Sequence, residues 1–589
     1  MKFNFKKNKK EITSEEANNP ISKDINKRRG VKKQNIREFA FGLLFIILLN
    51  FVGSYIYYRL DLTSEKRYTL SKTTKDLLKK LDDIVYFKIY LEGDFPSGFK
   101  RLRNETREML DEFRAYSNNI EYEFVDPLEN IDKKNKNEII RQLMGKGLIP
   151  TQIQVKEGNG TSTKIIFPCA SVVYKNRELP LQLLKTQSNV PSSEMLNNSV
   201  QALEYEISNV IRKHTIVFKQ KVGFIEGHGE LDTLLVDDIV KNLSEYYTVD
   251  RVLINGKLKS MKNFKAIIIA KPDSAFTDKD KFIIDQFIMN GGKVLWLIDR
   301  VYANMDSLRN SSETIAFPLD LNLDDQLFRY GVRINTNLIQ DLYCLKIPLV
   351  TGFIGKQPQM SLMPWYYFPL IAPSTNHPIV NNLNIVKFEF AGTIDTINVS
   401  DIKKTILLAS SKFSRVINAP ARISIDIMRK NPDDLNFNNP YQTVAVLLEG
   451  KFESVFKNRL PSVIMENKEI AFREKSAPNK MIVVSDGDII KNQVGVENGV
   501  PFAYPLGYDR YTNATFGNKN LIMNMMNYLC DDSGLISVRA RELKMRLLDI
   551  AKIEKQKVKW QIINLCLPVL LVLFFGLLQN ILRKRKYTL

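Results

Sequence analysis

With 589 residues, 25% of them charged and 44% hydrophobic, the chain is too long for one core and is read as two or three folded units. Its net charge of +20 is concentrated at residues 1–38 (+7), 538–559 (+5) and 583–586 (+4), leaving +4 for the rest. The excess therefore lies beside apolar spans, where it meets anionic lipid, and nucleic acid is excluded as a partner. Three dispersed histidines and no C-x-x-C pair leave no metal site or cofactor to expect, and four cysteines, one of them in an apolar span, imply no disulfide framework.

Residues 1–38, rich in Lys, Asn and Glu, are predicted to be a disordered basic tail. Phe39 to Tyr58 carries no charge, and about twenty apolar residues cross a bilayer core. Tyr55-Ile-Tyr-Tyr-Arg59 offers no small-residue cleavage site, so this span is an uncleaved anchor. Residues 60–195 form a first unit. Ser71 caps a helix bearing Leu77, Leu78 and Leu81, and strand Val85–Leu91 leads through helix Phe99–Tyr116 to strand Ile120–Val125. Further strands are expected at Gln152–Val155, Lys164–Tyr174 and Glu178–Leu183. The layout is thioredoxin-like but lacks redox cysteines, which favours a structural or docking domain. A helix over 197–214 joins this unit to the next.

Residues 215–535 alternate strands with helices, which predicts a doubly wound parallel sheet of Rossmann or amidotransferase-like type. The strands are Val222–Glu226, Val249–Ile254, Ala266–Ala270 and Lys293–Asp299, interleaved with helical spacing over Leu231–Leu243 and a helix capped by Thr277. Clustered prolines and short β runs mark a β-rich insertion over about 300–475, in which Trp365-Tyr-Tyr-Phe368 reads as core or interface. The sheet resumes at Met481–Ser485, and a helix over Asn518–Leu529 closes it.

Ligands in such sheets sit beyond the carboxyl ends of the strands, here Glu226–Glu230, Lys271-Pro-Asp273 and Asp299-Arg300, and His228, Glu230, Asp299 and Asp486 are the ligand-binding candidates. The counter-reading is equally physical. Gly227-His-Gly229 lacks the third glycine of a dinucleotide loop and reads as a tight turn, and Asp486-Gly-Asp488 reads as a solvated turn rather than a cation site. From Val538, the residues Leu543, Leu547, Ile550 and Val558 share a helical face over 538–559. A second uncharged span, Trp560 to Leu582, follows, so one helix of roughly 68 Å is expected from Val538 to Leu582, ending in a basic tail at 583–589. Basic flanks at both ends put both termini in the cytoplasm and the bulk of the chain in the periplasm, anchored in the inner membrane by two passes.

Arg67-Tyr-Thr-Leu-Ser71, Tyr90–Phe99, Asp126-Pro127 and Gly223–Glu230 resemble the gliding motility-associated ABC transporter protein family GldG. The resemblance implies a non-catalytic auxiliary subunit working with an ABC permease subunit and a separate ATPase subunit, with outer domains that meet a protein or ligand. The chain has no P-loop of its own, since Gly291-Gly-Lys-Val294 lacks both the loop length and the hydroxyl. The alternative is an extracytoplasmic hydrolase of amidotransferase-like fold using His228 and Glu230. None of Cys169, Cys344, Cys530 and Cys566 lies in the strand-to-helix turn such a nucleophile needs.

Overall fold

The computed structural model describes residues 20–55, 69–129, 133–157, 160–186, 190–308, 311–461, 465–468, 470–531, 534–540 and 550–587. The chain forms two units, 1–68 and 69–589. In the first, helix α1 spans Pro20–Tyr55, and within it Lys32–Val52 is long and apolar enough to cross a membrane. Residues 20–38, expected to be disordered, are thus helical. Lys, Arg, Glu and Gln lose little in a helix, and extending one that the apolar span has already nucleated requires no new nucleus. The rest of the expected tail, 1–19, and the end of the span, 56–58, lie outside the described residues.

The second unit begins with α2 (Lys72–Leu78), capped by the Ser71 hydroxyl, which accepts a bond from the Thr74 amide. β1 (Val85–Ile89), α3 (Ser97–Tyr116) and β2 (Ile120–Phe124) form a β–α–β unit within a four-stranded sheet in the order β2-β1-β5-β6. β5 is Cys169–Tyr174 and β6 is Arg177–Gln182; β1 runs parallel to β2 and antiparallel to β5. Phe99, Leu102 and Phe113 of α3 share a core with Val85, Phe87 and Ile89 and with Leu203 and Ile207 of α5 (Ser192–Thr215). α4 (Lys133–Gly145) precedes a separate hairpin of β3 (Thr151–Glu157) and β4 (Gly160–Ile166). The single strand expected over Lys164–Tyr174 is therefore two, divided at Phe167-Pro168, because proline has no amide to continue a ladder.

The central sheet has seven strands. β7 (Lys221–Glu226), β8 (Thr248–Leu253), β9 (Phe264–Ala270) and β10 (Lys293–Leu297) are mutually parallel where they pair. Beyond a long ribbon of β11 (Cys344–Ile354) and β12 (Gln357–Ile371), β13 (Ile402–Ala409), β14 (Thr443–Gly450) and β15 (Asn479–Val484) complete the order β13-β14-β15-β10-β9-β7-β8. β15 is parallel to β10, whereas β14 is antiparallel to both β15 and β13. The region expected as an insertion over 300–475 thus supplies two strands of the main sheet, and their buried Leu407, Leu408 and Val444–Leu448 explain why: such runs need cover on both faces.

One face of the sheet packs Phe224, Ile268 and Leu295 under Ile239 and Leu243 of α6 (Asp237–Leu243) and Leu521 and Met525 of α8 (Asn518–Cys530). The opposite face packs Ile267, Ile269 and Trp296 under Ile283, Ile284 and Ile288 of α7 (Asp278–Met289). Each such fully buried side chain contributes about 1.5–3 kcal/mol. The helix expected over Leu231–Leu243 is confined to α6, after a 3-10 turn at Leu234–Val236. Trp365-Tyr-Tyr-Phe368 lie in a separate core within the excursion. α9 spans Ile550–Tyr587, and Lys552–Arg585 within it is long and apolar enough to cross a membrane. A helix unbroken from Val538 is corrected at its start, since Leu535–Ala540 is 3-10 and 541–549 lie outside the described residues.

Candidate functional site

The chain runs from β7 outward to β8 and returns on the other side of β7 to β9, so the strand order reverses between β7 and β9. In open α/β sheets that reversal leaves a crevice where ligands bind. Here the crevice is filled by the loops themselves. The amides of Asp273 and Ser274 donate to the His228 carbonyl at 2.9 and 3.0 Å, and the Leu231 amide donates to the Ala270 carbonyl. Gly229 holds φ +75°, a left-handed conformation that strains other residues, and an added Cβ would fall 1.6 Å from Asp273 Oδ1 and displace that side chain.

His228 and Glu230 are brought together and buried. Glu230 accepts from the His228 amide (2.7 Å) and faces its Nδ1 at 3.1 Å, while Nε2 faces Asp280 Oδ2 at 3.3 Å. The ring also stacks on Phe276, with centroids 3.7 Å apart. Burial disfavours the imidazolium, but the two carboxylates outweigh it and raise the His228 pKa above its ordinary value. Asp280 moves the other way. Burial opposes its charge, yet the Gly256 amide, the Thr277 hydroxyl and His228 hold its pKa below the usual range. Both ring nitrogens are thereby engaged by carboxylates, and the arrangement locks the β7 turn to the N-terminus of α7. A general base needs one nitrogen directed at a nucleophile.

A second cluster sits where β9, β10 and β15 end. Lys271, in the left-handed region at φ +56°, directs its Nζ to Asp299 Oδ2 at 3.2 Å and to Asp488. Asp488 Oδ1 also lies 3.1 Å from Lys491 Nζ. Asp299 accepts from the Gly487 amide (2.6 Å), and Asp486 accepts from the amides of Glu389 and Asp488, each at 2.7 Å. The solvated turn expected at Asp486-Gly-Asp488 is corrected: both aspartates are buried, because the chain around Glu389 crosses over the strand end. Burial and the neighbouring carboxylates push Asp486 well above the usual carboxylate range, and burial likewise raises Asp299. For Asp488 burial acts upward, but Lys271 and Lys491 prevail and lower it. The predicted pair Asp299 and Asp486 thus share one cluster, apart from the His228 network, and Lys271, at the neighbouring strand end, is the cation beside them. The sequence marks Lys271 as a strand-end residue but not as the counter-ion of these aspartates.

Sequence reasoning missed a polar junction on α5. Glu204 Oε1 accepts from the Ser71 amide (2.7 Å) and the Thr74 hydroxyl (2.8 Å), and Thr74 Oγ1 lies 3.1 Å from Ser208 Oγ. These groups are largely buried, so they fix the start of the second unit to α5. The other end of the body reaches the same helix. Arg212 pairs with Asp531 at 3.5 Å, Tyr205 packs with Leu535 and Val538, and the Arg539 guanidinium lies over the Tyr205 ring. Arg539 Nη1 also donates to Asn524 Oδ1 at 2.6 Å, tying this segment to α8. A Glu inside the apolar stripe of α5 was the only trace of this junction in the sequence.

Among the described residues no group of His, Cys, Asp and Glu is arranged to hold a metal ion. Burial pushes the thiols of Cys169 and Cys344 up to about 12, which makes them poor nucleophiles.

Residues 219–525 match the family described as "ABC-type uncharacterized transport system", and residues 64–173 match a "domain of unknown function" (DUF7088). An "uncharacterized protein" of Borreliella burgdorferi is 22% identical over 582 residues, covering 94% of this chain and 99% of that one. Among solved structures, the mmIFT52 N-terminal domain aligns at 11% identity and a TM-score of 0.30, over 53% of this chain and 97% of that domain. The family match spans the whole parallel half of the central sheet with the two strand-end clusters just described, and the chain belongs to the ABC-type uncharacterized transport system family.

Proposed function

We propose that the chain is a non-catalytic auxiliary subunit of an ABC transporter, anchored in the inner membrane at both ends, with both termini cytoplasmic and the α/β body periplasmic. The observation that carries this reading is the convergence on α5. The residues that follow the first anchor (Ser71, Thr74) and those that precede the second (Asp531, Leu535, Val538) all dock on one helix. The two ends of the body that lead to the anchors are thereby held on the same helix. Family membership supports a transport role. The absence of a P-loop from the sequence supports a separate ATPase, acting through a permease on which the spans pack.

The β2-β1-β5-β6 order, with β1 parallel to β2 and antiparallel to β5, supports a thioredoxin-like docking unit. The five parallel strands with helices on both faces support a doubly wound body. Within it, His228, Glu230, Asp299 and Asp486 serve as internal locks in place of a ligand pocket, because their polar atoms are spent on one another and on backbone amides. A gliding role rests on the motif resemblance, of which Ser71 is the part tied to α5. Purification of the tagged chain from native membranes in mild detergent tests the reading. Co-purification of a permease and an ATPase is expected, and recovery of the chain alone from intact, folded material would refute it.

A further inference from the structure

The β11–β12 ribbon breaks the rule that the outer face of a surface hairpin is polar. Cross-strand register pairs Pro348 with Leu362, Val350 with Met360 and, past a bulge, Phe353 with Pro358. Since Leu362, Met360 and Pro358 alternate along β12, these three pairs occupy one face. The opposite face begins at Ile347, Leu349 and Met363, which pack on the core around Trp365, and continues toward the turn as Thr351, Ser361, Gln359 and Gln357, with Ile354 as its one exposed apolar residue, at the turn itself. The apolar face is therefore the one turned away from the body. Phe353 is 70% exposed, Met360 58% and Leu362 47%. A two-stranded ribbon has little stability of its own in water, so an uncovered apolar face of this length is a cost without a purpose unless something covers it.

Charge identifies the cover. From Leu342 to Phe388 the sequence has no Asp or Glu, and the ribbon's only charges are Lys346, which pairs with Pro364 on the apolar face, and Lys356 at the turn. An apolar face bordered by lysines fits the interface of an anionic bilayer, where the apolar side chains enter the acyl boundary and the ammonium groups remain among the headgroups. A second copy of the ribbon would bring like charges together. The chain also carries two helices suited to crossing a bilayer, so such a surface accompanies the protein. We infer that the outer face of the β11–β12 ribbon, Val350, Phe353, Met360 and Leu362 with Lys346 and Lys356, docks on the surface of an anionic phospholipid bilayer. This inference is independent of the transport role.

The test uses the full-length chain in proteoliposomes. A tryptophan is placed on the apolar face (Phe353→Trp, with Met360→Trp as a second position) or on the polar face (Gln359→Trp), and its emission is obtained by difference from the parent. In vesicles containing phosphatidylglycerol, the apolar-face tryptophans should emit at shorter wavelength and be quenched by brominated lipid several-fold more than the one at position 359. Removing the charges with Lys346→Gln and Lys356→Gln should weaken lipid contact roughly five-fold per lysine. Water-like, unquenched emission at both apolar positions overturns the inference. So does blue-shifted emission that bromine does not quench, which would mean that a second copy or another protein covers the face. Equal quenching in pure phosphatidylcholine overturns the anionic-lipid assignment.

Discussion

Replacing Lys271 with Met removes the cation between two buried carboxylates while keeping the length of the side chain. Lys271 Nζ lies 3.2 Å from Asp299 and contacts Asp488, and 24% of its side chain remains exposed. Breaking a buried pair by deleting one partner costs 3–5 kcal/mol, and the partial exposure places this case near the lower end, at about 3 kcal/mol. For a body of about 300 residues, with an unfolding entropy near 2.1 cal/mol/K per residue, that lowers Tm by about 5 °C at pH 7. The pH dependence is the sharper test. Without Lys271, Asp299 and Asp486, already raised by burial, lose a cation that opposes the shift, and their folded pKa values stand further above the unfolded value near 3.9. Such groups cost stability above the folded pKa and cost nothing below the unfolded one, so the deficit should close as pH falls toward about 4. Near-UV circular dichroism of the full chain in detergent, heated at a fixed scan rate at several pH values, measures both effects. A variant within about 1 °C of the parent at pH 7, or a deficit that does not shrink on acidification, would refute the assignment of Lys271 as the counter-ion of this cluster.

His228→Gln should lose the stability that the raised histidine pKa supplies. That contribution is complete below the unfolded pKa near 6.5 and fades as pH rises through the folded value, so the Tm gap between parent and variant should be wider at pH 6 than at pH 9; a constant gap contradicts the network. Glu204→Ala leaves the Ser71 amide without its acceptor and the Thr74 hydroxyl with only Ser208 as acceptor, at about 1–3 kcal/mol, and limited proteolysis near residues 69–74 should accelerate while the central sheet stays folded. Gly487→Ala would put a Cβ 2.5 Å from that of Lys271, and overpacking of about 1–3 kcal/mol should appear as a lowered midpoint in denaturant titration. A short Gly/Ser insertion between Lys555 and Lys559, inside α9, should preserve insertion and subunit association yet abolish transport-linked activity; full activity at normal protein levels would make the helix a tether only.

Composition and periodicity determined what depends on local chemistry. The two apolar spans, the strands of β7, β9 and β10 and the Thr277 cap of α7 were all legible, since a buried parallel strand reads as an uninterrupted apolar run and a cap is set by neighbouring residues. Tertiary structure decided the rest. Ile402–Ala409 and Thr443–Gly450 look like loop-bound β segments until the sheet edge beside β15 claims them. Asp486 and Asp488 look solvated because no local pattern announces that the chain near Glu389, about a hundred positions earlier, will cover them and that Lys271 will neutralise them. Glu204 reads as a blemish in an apolar stripe until Ser71 and Thr74 arrive from 130 or more positions away. The hydrogen bonds and ion pairs that define these sites join residues remote in sequence, and their strength comes from a low dielectric that exists only once the cores have closed.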